Sequence, residues 1–169
     1  MQIMSIREII SRVKHESWVF LDIDNTLIES ETELGSSQWD DAMEDLFGHC
    51  DNPADAERRL RRVHAICHAV QHRTQVRAIE GIDTVKTIRL LQDIGLPVFG
   101  ITARDECLDE TTVKQLAGAG IDFGRKAYHT GDNILLRDPQ ILKLDHHNGR
   151  PPFIRRASFF VVTTTRVNA

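Results

Sequence analysis

Apolar residues occur in two different patterns along the first 125 residues of the chain, as continuous runs and at helical spacing. Trp18–Ile23 is a compact apolar run, and LPVFGIT at 96–102 is a second one. Runs of this length without a polar side are typical of buried parallel strands. Elsewhere apolar residues recur every three or four positions, which predicts helices over 5–15, after Gln38, over 54–79, over 82–94 and over 109–117. IDFG at 121–124 predicts a short further strand.

The order of these elements predicts an α/β fold. A strand, several helices, a strand, a helix and a strand are typical of a Rossmann-like, mainly parallel sheet flanked by helices. Ligands of such sheets bind at the carboxyl ends of the strands. Asp22 and Asp24 follow the first apolar run and Thr102 ends the second. We therefore expect these three residues at one edge of the sheet, where such folds place their sites.

Composition and charge narrow the classes of function. The chain has 169 residues, of which 41% are hydrophobic and 27% charged, with a net charge of -4. This is ordinary for a globular domain with one core, or a core plus a small insert, and it argues against a dedicated nucleic-acid binder. No apolar segment approaches the roughly 20 residues of a membrane span, and the N-terminus resembles an amphipathic helix more than a signal peptide.

The three cysteines are consistent with a reducing compartment. Cys50, Cys67 and Cys107 are odd in number, and none forms a C-x-x-C pair. They are interpreted as reduced thiols, and with the absence of a signal peptide they predict a cytoplasmic location. Export by a route that reads no N-terminal signal stays open.

Two aspartates one residue apart at a strand end favour metal and phosphate chemistry. The side chains of Asp22 and Asp24 would point to the same side of the strand and repel each other. A proton on one carboxylate, or a cation between the two, must relieve this repulsion. Mg²⁺ suits such oxygen ligands, one carboxylate can attack phosphorus, and the other can transfer protons. The alternatives are a helix-capping pair, a calcium loop and the D-x-D site of a nucleotide-sugar transferase. Leu27 stands where a calcium loop needs glycine, and no nucleotide-binding region is evident.

Residues 15–125 resemble the haloacid dehalogenase superfamily of phosphohydrolases. The motif LDIDNTL matches its first motif, an apolar strand followed by D-x-D-x-T, and VFGITAR matches the second. With ELGSSQW, these motifs are similar to those of a bacterial branch of the superfamily without an assigned function. The resemblance implies a haloacid dehalogenase-like core of residues 1–29 and 81–169, with a small helical cap insert at 30–80.

The resemblance also implies roles for individual residues. Asp22 would be the nucleophile and Asp24 the general acid and base, and both would bind Mg²⁺, the implied cofactor. Thr102 would donate a hydrogen bond to phosphate, and Thr26 would support the loop through its hydroxyl. Thr26 is also a candidate for substrate binding, as is Arg104, whose role does not follow from the resemblance and which is otherwise interpreted as a solvated surface residue. The third-motif cation, which balances the charge of nucleophile and phosphate, would be Lys143, with Arg125 and Lys126 as competitors.

The tail from about residue 130 departs from the pattern of the superfamily. Its fourth motif is an acidic pair after an apolar strand, but Thr163 and Thr164 stand there, and no Asp or Glu follows Asp145. Neutral hydroxyl groups are poor replacements for anionic magnesium ligands. We therefore expect residues 130–169 to be a diverged, truncated or frame-altered tail of the core.

Two functions follow from this mixture of matches and departures. The first is an Mg²⁺-dependent phosphatase that hydrolyses phosphomonoesters, its partner being a phosphorylated small molecule. The alternative is a catalytically impaired relative that acts as a binding or interaction module, and a third reading is an incomplete chain of a longer enzyme. No nucleic-acid or membrane partner is expected, and the sequence does not indicate an oligomeric state.

A histidine pattern in the helix predicted over 54–79 raises a separate question. His64, His68 and His72 are spaced by four residues, with Cys67 beside them. This spacing can place metal ligands on one face of a helix. A polar helix face is the interpretation we favour, because no complementary pair of ligands is evident.

Overall fold

The computed structural model describes residues 5–48, 50–126, 134–135 and 159–163. The strands are β1 (Ser17–Asp22), β2 (Ile28–Ser30), β3 (Val76–Ala78), β4 (Val98–Ile101), β5 (Ile134–Leu135) and β6 (Phe159–Thr163). The α-helices are α1 (Ser37–Phe47), α2 (Pro53–Gln71), α3 (Ile82–Asp93) and α4 (Asp109–Gly118). Short 3₁₀ helices cover Ile6–Ser11, Glu106–Leu108 and Gly124–Lys126. The predicted α/β class is confirmed.

A four-stranded sheet lies at the centre, in the order β5-β4-β1-β6. β1 is parallel to β4, and β4 is parallel to β5, whereas β6 runs antiparallel to β1. β6 ends at Thr163 opposite Ser17, at the start of β1. The chain therefore leaves β6 at the edge of the sheet opposite to Asp22. Apart from β5 and β6, the predicted tail at 130–169 lies outside the described residues.

One hydrophobic core packs against β1 and its neighbours. Alternate residues of β1 and the next position are fully buried, namely Val19, Leu21 and Ile23. α3 buries half of its twelve residues, including Ile88 and Leu91. Each buried Leu or Ile removes enough apolar surface from water to stabilise the fold by about 1.5–3 kcal/mol. This packing fixes the end of β1, where the two aspartates follow.

Gly100 in β4 allows the closest packing in this layer. A β-carbon at this position would lie 2.9 Å from the ring of Phe123 and 3.1 Å from Ile23 Cδ1. Only glycine leaves room for both side chains without a shift of the strand. The glycine of VFGITAR therefore leaves room for Phe123 and Ile23 to pack against β4.

A second, two-stranded sheet connects the core to the residues between β2 and β3. The antiparallel pair joins Ile28 to Ala78 and Ser30 to Val76. Residues 31–75 leave and return through this pair and contain α1 and α2, and we call them the helical insert. The helix predicted over 54–79 ends at Gln71 instead, because the following residues leave to pair with β2. The predicted division into a core and a cap at 30–80 stays a prediction.

Two further expectations are corrected by the structure. Residues 121–124 form no strand, because Ile121 and Phe123 turn into the core and a 3₁₀ helix follows at Gly124. The N-terminal helix is a single 3₁₀ segment, whose buried Ile6 and Ile9 join the core. Among the helices of the described ranges, none is long and apolar enough to cross a membrane.

Candidate active site

The carboxyl ends of β1 and β4 meet at one edge of the sheet. Asp22 is paired in register with Ile101, and the Ile23 amide donates to the Ile101 carbonyl at 2.9 Å. Thr102 follows directly and is buried. Parallel pairing therefore brings Asp22, Asp24 and Thr102 to the same edge, as the polar residues after the two apolar runs indicated.

The D-I-D-N-T segment folds into a tight turn after β1. The amides of Leu27 and Ile28 both donate to the Ile23 carbonyl, at 3.0 and 3.1 Å. Asn25 has a φ of 54°, a left-handed conformation that asparagine adopts more readily than most residues. Buried Leu27 anchors the turn in the core. The turn holds the two aspartates at fixed positions relative to the sheet.

Thr26 positions the first aspartate. Its Oγ1 donates to Asp22 Oδ2 at 2.8 Å. Burial raises the pKa of Asp22 from 3.8 to about 6, the Thr26 hydrogen bond opposes the shift, and the charge of Asp24 adds to it. Asp22 is thus ionised at neutral pH only against a desolvation penalty. A cation near its carboxylate would lower that penalty.

Asp24 is held by a cation and a hydroxyl group. Arg104 donates from Nη2 to Oδ1 at 2.7 Å, and from Nε to both carboxylate oxygens at 3.1 Å. Thr102 Oγ1 donates to Oδ2 at 2.8 Å. The Arg104 side chain is only 11% exposed, so solvent screens this ion pair weakly. In this arrangement both oxygens of Asp24 have partners.

Arg104 also joins the site to the helical insert through Gln115. Its Nη1 donates to Gln115 Oε1 at 2.6 Å and to Thr112 Oγ1 at 3.1 Å. The Gln115 amide then donates to the carbonyls of Gln71 and Thr74, at 3.0 and 2.9 Å. A continuous hydrogen-bond network therefore runs from Asp24 to the end of α2.

A small cavity lies between the turn and the insert. Its volume is about 20 Å³, which is enough for one water molecule or ion and too small for an organic substrate. Its lining includes side chains from the core and from the insert, among them Asp24, Arg104, Gln115, Ser36 and Gln71. The insert thus closes over the Asp24 side of the site.

The motif ELGSSQW shapes the start of the insert. Gly35 has a φ of 79°, and a β-carbon there would lie 2.2 Å from Thr74 Oγ1. Ser36 caps α1 by accepting from the Trp39 amide at 3.1 Å. Glycine and serine at these positions therefore bring the loop against the end of α2 and start the next helix.

Asp40 is a carboxylate near the site that sequence reasoning missed. It lies on α1, where Gln71 donates to it. Burial raises its pKa, hydrogen bonds with Cys67 and Gln71 oppose the shift, and the charge of Asp24 adds to it. The only signal in the sequence was its place next to Trp39 in the motif, because no local pattern tells which residue of α1 faces α2.

The donor set available for a metal ion consists of two carboxylates. Across residues 5–48 and 50–126 and the two further strands, no group of three or more His, Cys, Asp or Glu side chains could hold a metal ion. Mg²⁺ commonly binds through one or two carboxylates, several waters and the substrate phosphate. Asp22 fits such a sparse site, because its carboxylate supplies oxygen ligands and a bound cation would offset the burial that raises its pKa. Asp24 fits less well, because Arg104 already pairs with its side chain.

The other predicted residues lie elsewhere or outside the description. Lys143 lies outside the described residues, so its role as the third-motif cation stays a prediction. Arg125 pairs with Asp93 at 3.2 Å, and Lys126 ends the last short 3₁₀ helix. Among the described side chains, Arg125 does not belong to the hydrogen-bond network around Asp22 and Asp24.

The histidines His64 and His68 of α2, and His72 directly after it, contact three different partners. His64 pairs with Glu44, His68 with Asp105 and His72 with Thr111. They do not converge on one point, which is consistent with a polar helix face.

Comparisons with known proteins give a family without an assigned function. A family model described as "Protein of unknown function (DUF2608)" matches residues 2–149 of the chain. No curated protein and no solved structure matches it. The functional argument therefore depends on the chemistry of the site.

Proposed function

The chain belongs to the DUF2608 family of proteins of unknown function, and we propose that it is an Mg²⁺-dependent phosphatase that hydrolyses phosphomonoesters through an aspartyl-phosphate at Asp22. The proposal includes a haloacid dehalogenase-like, Rossmann-like core with the helical insert as its cap. The observation that carries it is the meeting of Asp22, Asp24 and Thr102 at one sheet edge, with Thr26 bonded to Asp22.

The first half of the reaction uses Asp22 as the nucleophile. One carboxylate oxygen attacks phosphorus and the bond between phosphorus and the ester oxygen breaks. Asp24, which takes a proton from solvent once its ion pair with Arg104 is released, gives that proton to the leaving oxygen. The hydrogen bond from Thr26 to Oδ2 fixes the carboxylate and leaves the other oxygen to attack. Because burial raises the pKa of Asp22 to about 6, the attacking form predominates only above that pH.

The second half regenerates the enzyme. Asp24 takes a proton from water, the water oxygen attacks phosphorus, and the bond to Asp22 breaks to release inorganic phosphate. Asp22 and the Asp24 backbone or side chain would hold Mg²⁺, which when bound neutralises charge on the phosphate and the nucleophile.

Substrate binding offers a way to release Asp24 for proton transfer. In the structure Arg104 and Thr102 both donate to Asp24. A phosphate group presents the same kind of acceptor, and guanidinium and hydroxyl donors bind phosphate oxygens well. We propose that the substrate phosphate takes over these donors, which would give Thr102 and Arg104 their predicted binding roles.

The test is hydrolysis of an aryl phosphate with and without Mg²⁺, by the wild-type protein and by Asp22→Asn. We expect Mg²⁺-dependent turnover that falls in the variant by on the order of 10³-fold or more, because the amide cannot attack phosphorus. Asp45→Asn, the same change at an exposed residue of α1, should retain the wild-type rate. Turnover retained by Asp22→Asn would exclude Asp22 as the nucleophile.

The direction of β6 favours a second candidate, a binding module without turnover. An acidic pair after a parallel strand would lie beside Asp22, but β6 is antiparallel and ends beside Ser17. Residues 159–163 therefore bring no carboxylate to the Asp22 edge. No turnover across a panel of phosphate esters, by a protein that melts cooperatively, would favour this candidate.

A further inference from the structure

A thiol, an imidazole and a carboxylate lie in line where α2 meets the loop after β4. Cys107 Sγ is 3.2 Å from His68 Nδ1. The other ring nitrogen, Nε2, is 2.9 Å from Asp105 Oδ2. His68 belongs to α2, whereas Asp105 and Cys107 flank Glu106 at the start of the 3₁₀ helix before α4. Three residues from two separate elements therefore form one polar chain.

The contact with Asp105 favours one tautomer of the neutral ring. A carboxylate accepts only, so in that tautomer the hydrogen is on Nε2, which faces Asp105, and Nδ1 carries the lone pair. That lone pair faces the Cys107 thiol. Asp105 makes no side-chain cap to the following 3₁₀ helix, so its carboxylate is directed to the ring.

We propose that Cys107 is a nucleophilic thiol that hydroperoxides oxidise, with His68 as its general base and Asp105 as the residue that orients the ring. The arrangement matches the general requirement for an activated nucleophile, a base within hydrogen-bond reach that a third group holds in place. Cys107 is exposed and the His68 side chain is 25% exposed, so a small oxidant can reach the sulfur.

The oxidation step is balanced by hydrogen peroxide as the oxidant. His68 Nδ1 takes the thiol proton as sulfur attacks one peroxide oxygen. The S–O bond forms, the O–O bond breaks, and the departing hydroxide receives the proton from His68 as water. Sulfur is oxidised to a sulfenic acid, and the peroxide is reduced to water.

The other two cysteines provide internal comparisons. Cys67, next to His68 in sequence, is buried, and burial with the nearby charge of Asp40 raises its pKa to about 12. Cys50 is partly buried and donates to the Asn52 carbonyl at 3.1 Å. Neither has an imidazole in hydrogen-bond contact among the described residues, so each should react more slowly than Cys107.

The test is a measurement of site-resolved oxidation rates with hydrogen peroxide, with dimedone to trap the sulfenic acid and mass spectrometry to locate it. In the wild-type protein we expect Cys107 to be labelled at least roughly tenfold faster than Cys50, and Cys67 to be labelled slowest. Equal rates at Cys107 and Cys50 would overturn the proposal without any variant.

Variants separate base catalysis from exposure. His68→Gln retains a polar side chain but cannot take a proton, and it should slow labelling of Cys107 roughly tenfold. His64→Gln is the matched control, because His64 stacks near His68 with ring centroids 6.3 Å apart and pairs with Glu44 instead. Unchanged or faster labelling in folded His68→Gln would contradict the role of the base.

Asp105 has its own spectroscopic readout as a positioning residue. Asp105→Asn should lower the population of the Nε2–H tautomer of His68, which the chemical shifts of the ring nitrogens measure. It should also slow the labelling of Cys107. An unchanged tautomer with unchanged labelling would remove Asp105 from the proposal. Because none of these measurements uses a phosphate ester, they are independent of the proposed phosphatase.

Discussion

The sheet core and the helical insert are held together by different forces. α3 of the core buries six of its twelve residues, whereas α1 of the insert buries none. The insert is instead tied by polar contacts, such as those of Gln115 with the end of α2. Opening an apolar contact exposes hydrocarbon to water, which is unfavourable. When a polar contact opens, hydrogen bonds to water replace those within the protein, so the net free-energy cost is small. We therefore predict that the contacts of the insert open more readily than the sheet edge that carries Asp22.

The largest expected contrast is between two leucines. Leu91→Ala in α3 removes a fully buried side chain and should lower the free energy of unfolding by about 2–5 kcal/mol. Leu46→Ala in α1, where the side chain is 73% exposed, should change it by less than about 0.5 kcal/mol. Urea unfolding monitored by circular dichroism measures both. Similar losses would show that the two regions are equally packed.

The next effect concerns the partly buried carboxylate of Asp22 in the core. The folded-state pKa of Asp22, about 6, lies above its ordinary value of 3.8, so the folded protein binds this proton more tightly than the unfolded chain. The resulting stability is present below the ordinary pKa and is lost as the pH rises through about 6. At about pH 8 the free energy of unfolding of Asp22→Asn should therefore exceed that of the wild type by about 1–2 kcal/mol. The difference is kept this small because solvent partly screens the carboxylate.

The effect of added Mg²⁺ on stability provides a second test of the Asp22 carboxylate. At about pH 8, added Mg²⁺ should raise the Tm of wild type and leave Asp22→Asn unchanged, because ligand binding stabilises only a fold that has the site. Asp40→Asn is the control, because it removes a partly buried carboxylate from the insert and should leave the Mg²⁺ response unchanged. An equal response of wild type and Asp22→Asn would place the ion elsewhere.

A smaller effect is expected at the junction of the two regions. Gln115→Ala removes two hydrogen bonds to the end of α2 and should lower the free energy of unfolding by about 1–2 kcal/mol. Amide exchange should accelerate in the last turn of α2 and stay unchanged in β1. Lys114→Ala, at an exposed neighbour that pairs with Glu110, provides the control. Acceleration in β1 as well would mean that the insert and the core unfold together.

The smallest effect is expected within the insert. Glu44→Gln breaks the exposed pair with His64, and exposed ion pairs contribute at most about 1 kcal/mol. Thermal melts at low and high salt measure the difference, with Asp45→Asn as the control. A larger loss would show that α1 depends on this pair.

Regular, locally encoded parts of the fold were predictable from the sequence. The apolar runs gave β1 and β4 to within two residues, and parallel pairing then explained why Asp22 and Thr102 share an edge. β2 and β3 have only three residues each, and no periodicity is visible over so few positions. Their pairing brings together residues almost 50 positions apart, which local patterns do not encode.

Long-range side-chain partners were also beyond sequence reasoning. Arg104 was predicted to bind substrate, but its pairing with Asp24 depends on how two loops are placed after separate strands. Likewise, the spacing of the α2 histidines was visible, whereas the meeting of His68 with Cys107 requires α2 to pack beside the loop after β4. Such contacts follow from packing rather than from the residues of either segment alone.

The pairing at the base of the insert has a consequence for how this protein can change over evolution. The Glu31 amide donates to the Gln75 carbonyl at 3.0 Å, so the chain leaves and re-enters the core one hydrogen bond apart. A segment whose ends are this close can be lengthened, shortened or exchanged while the rest of the molecule keeps its connections. Relatives can therefore vary this module as a unit, and a chimaera joined at residues 31 and 75 is a practical way to transplant it.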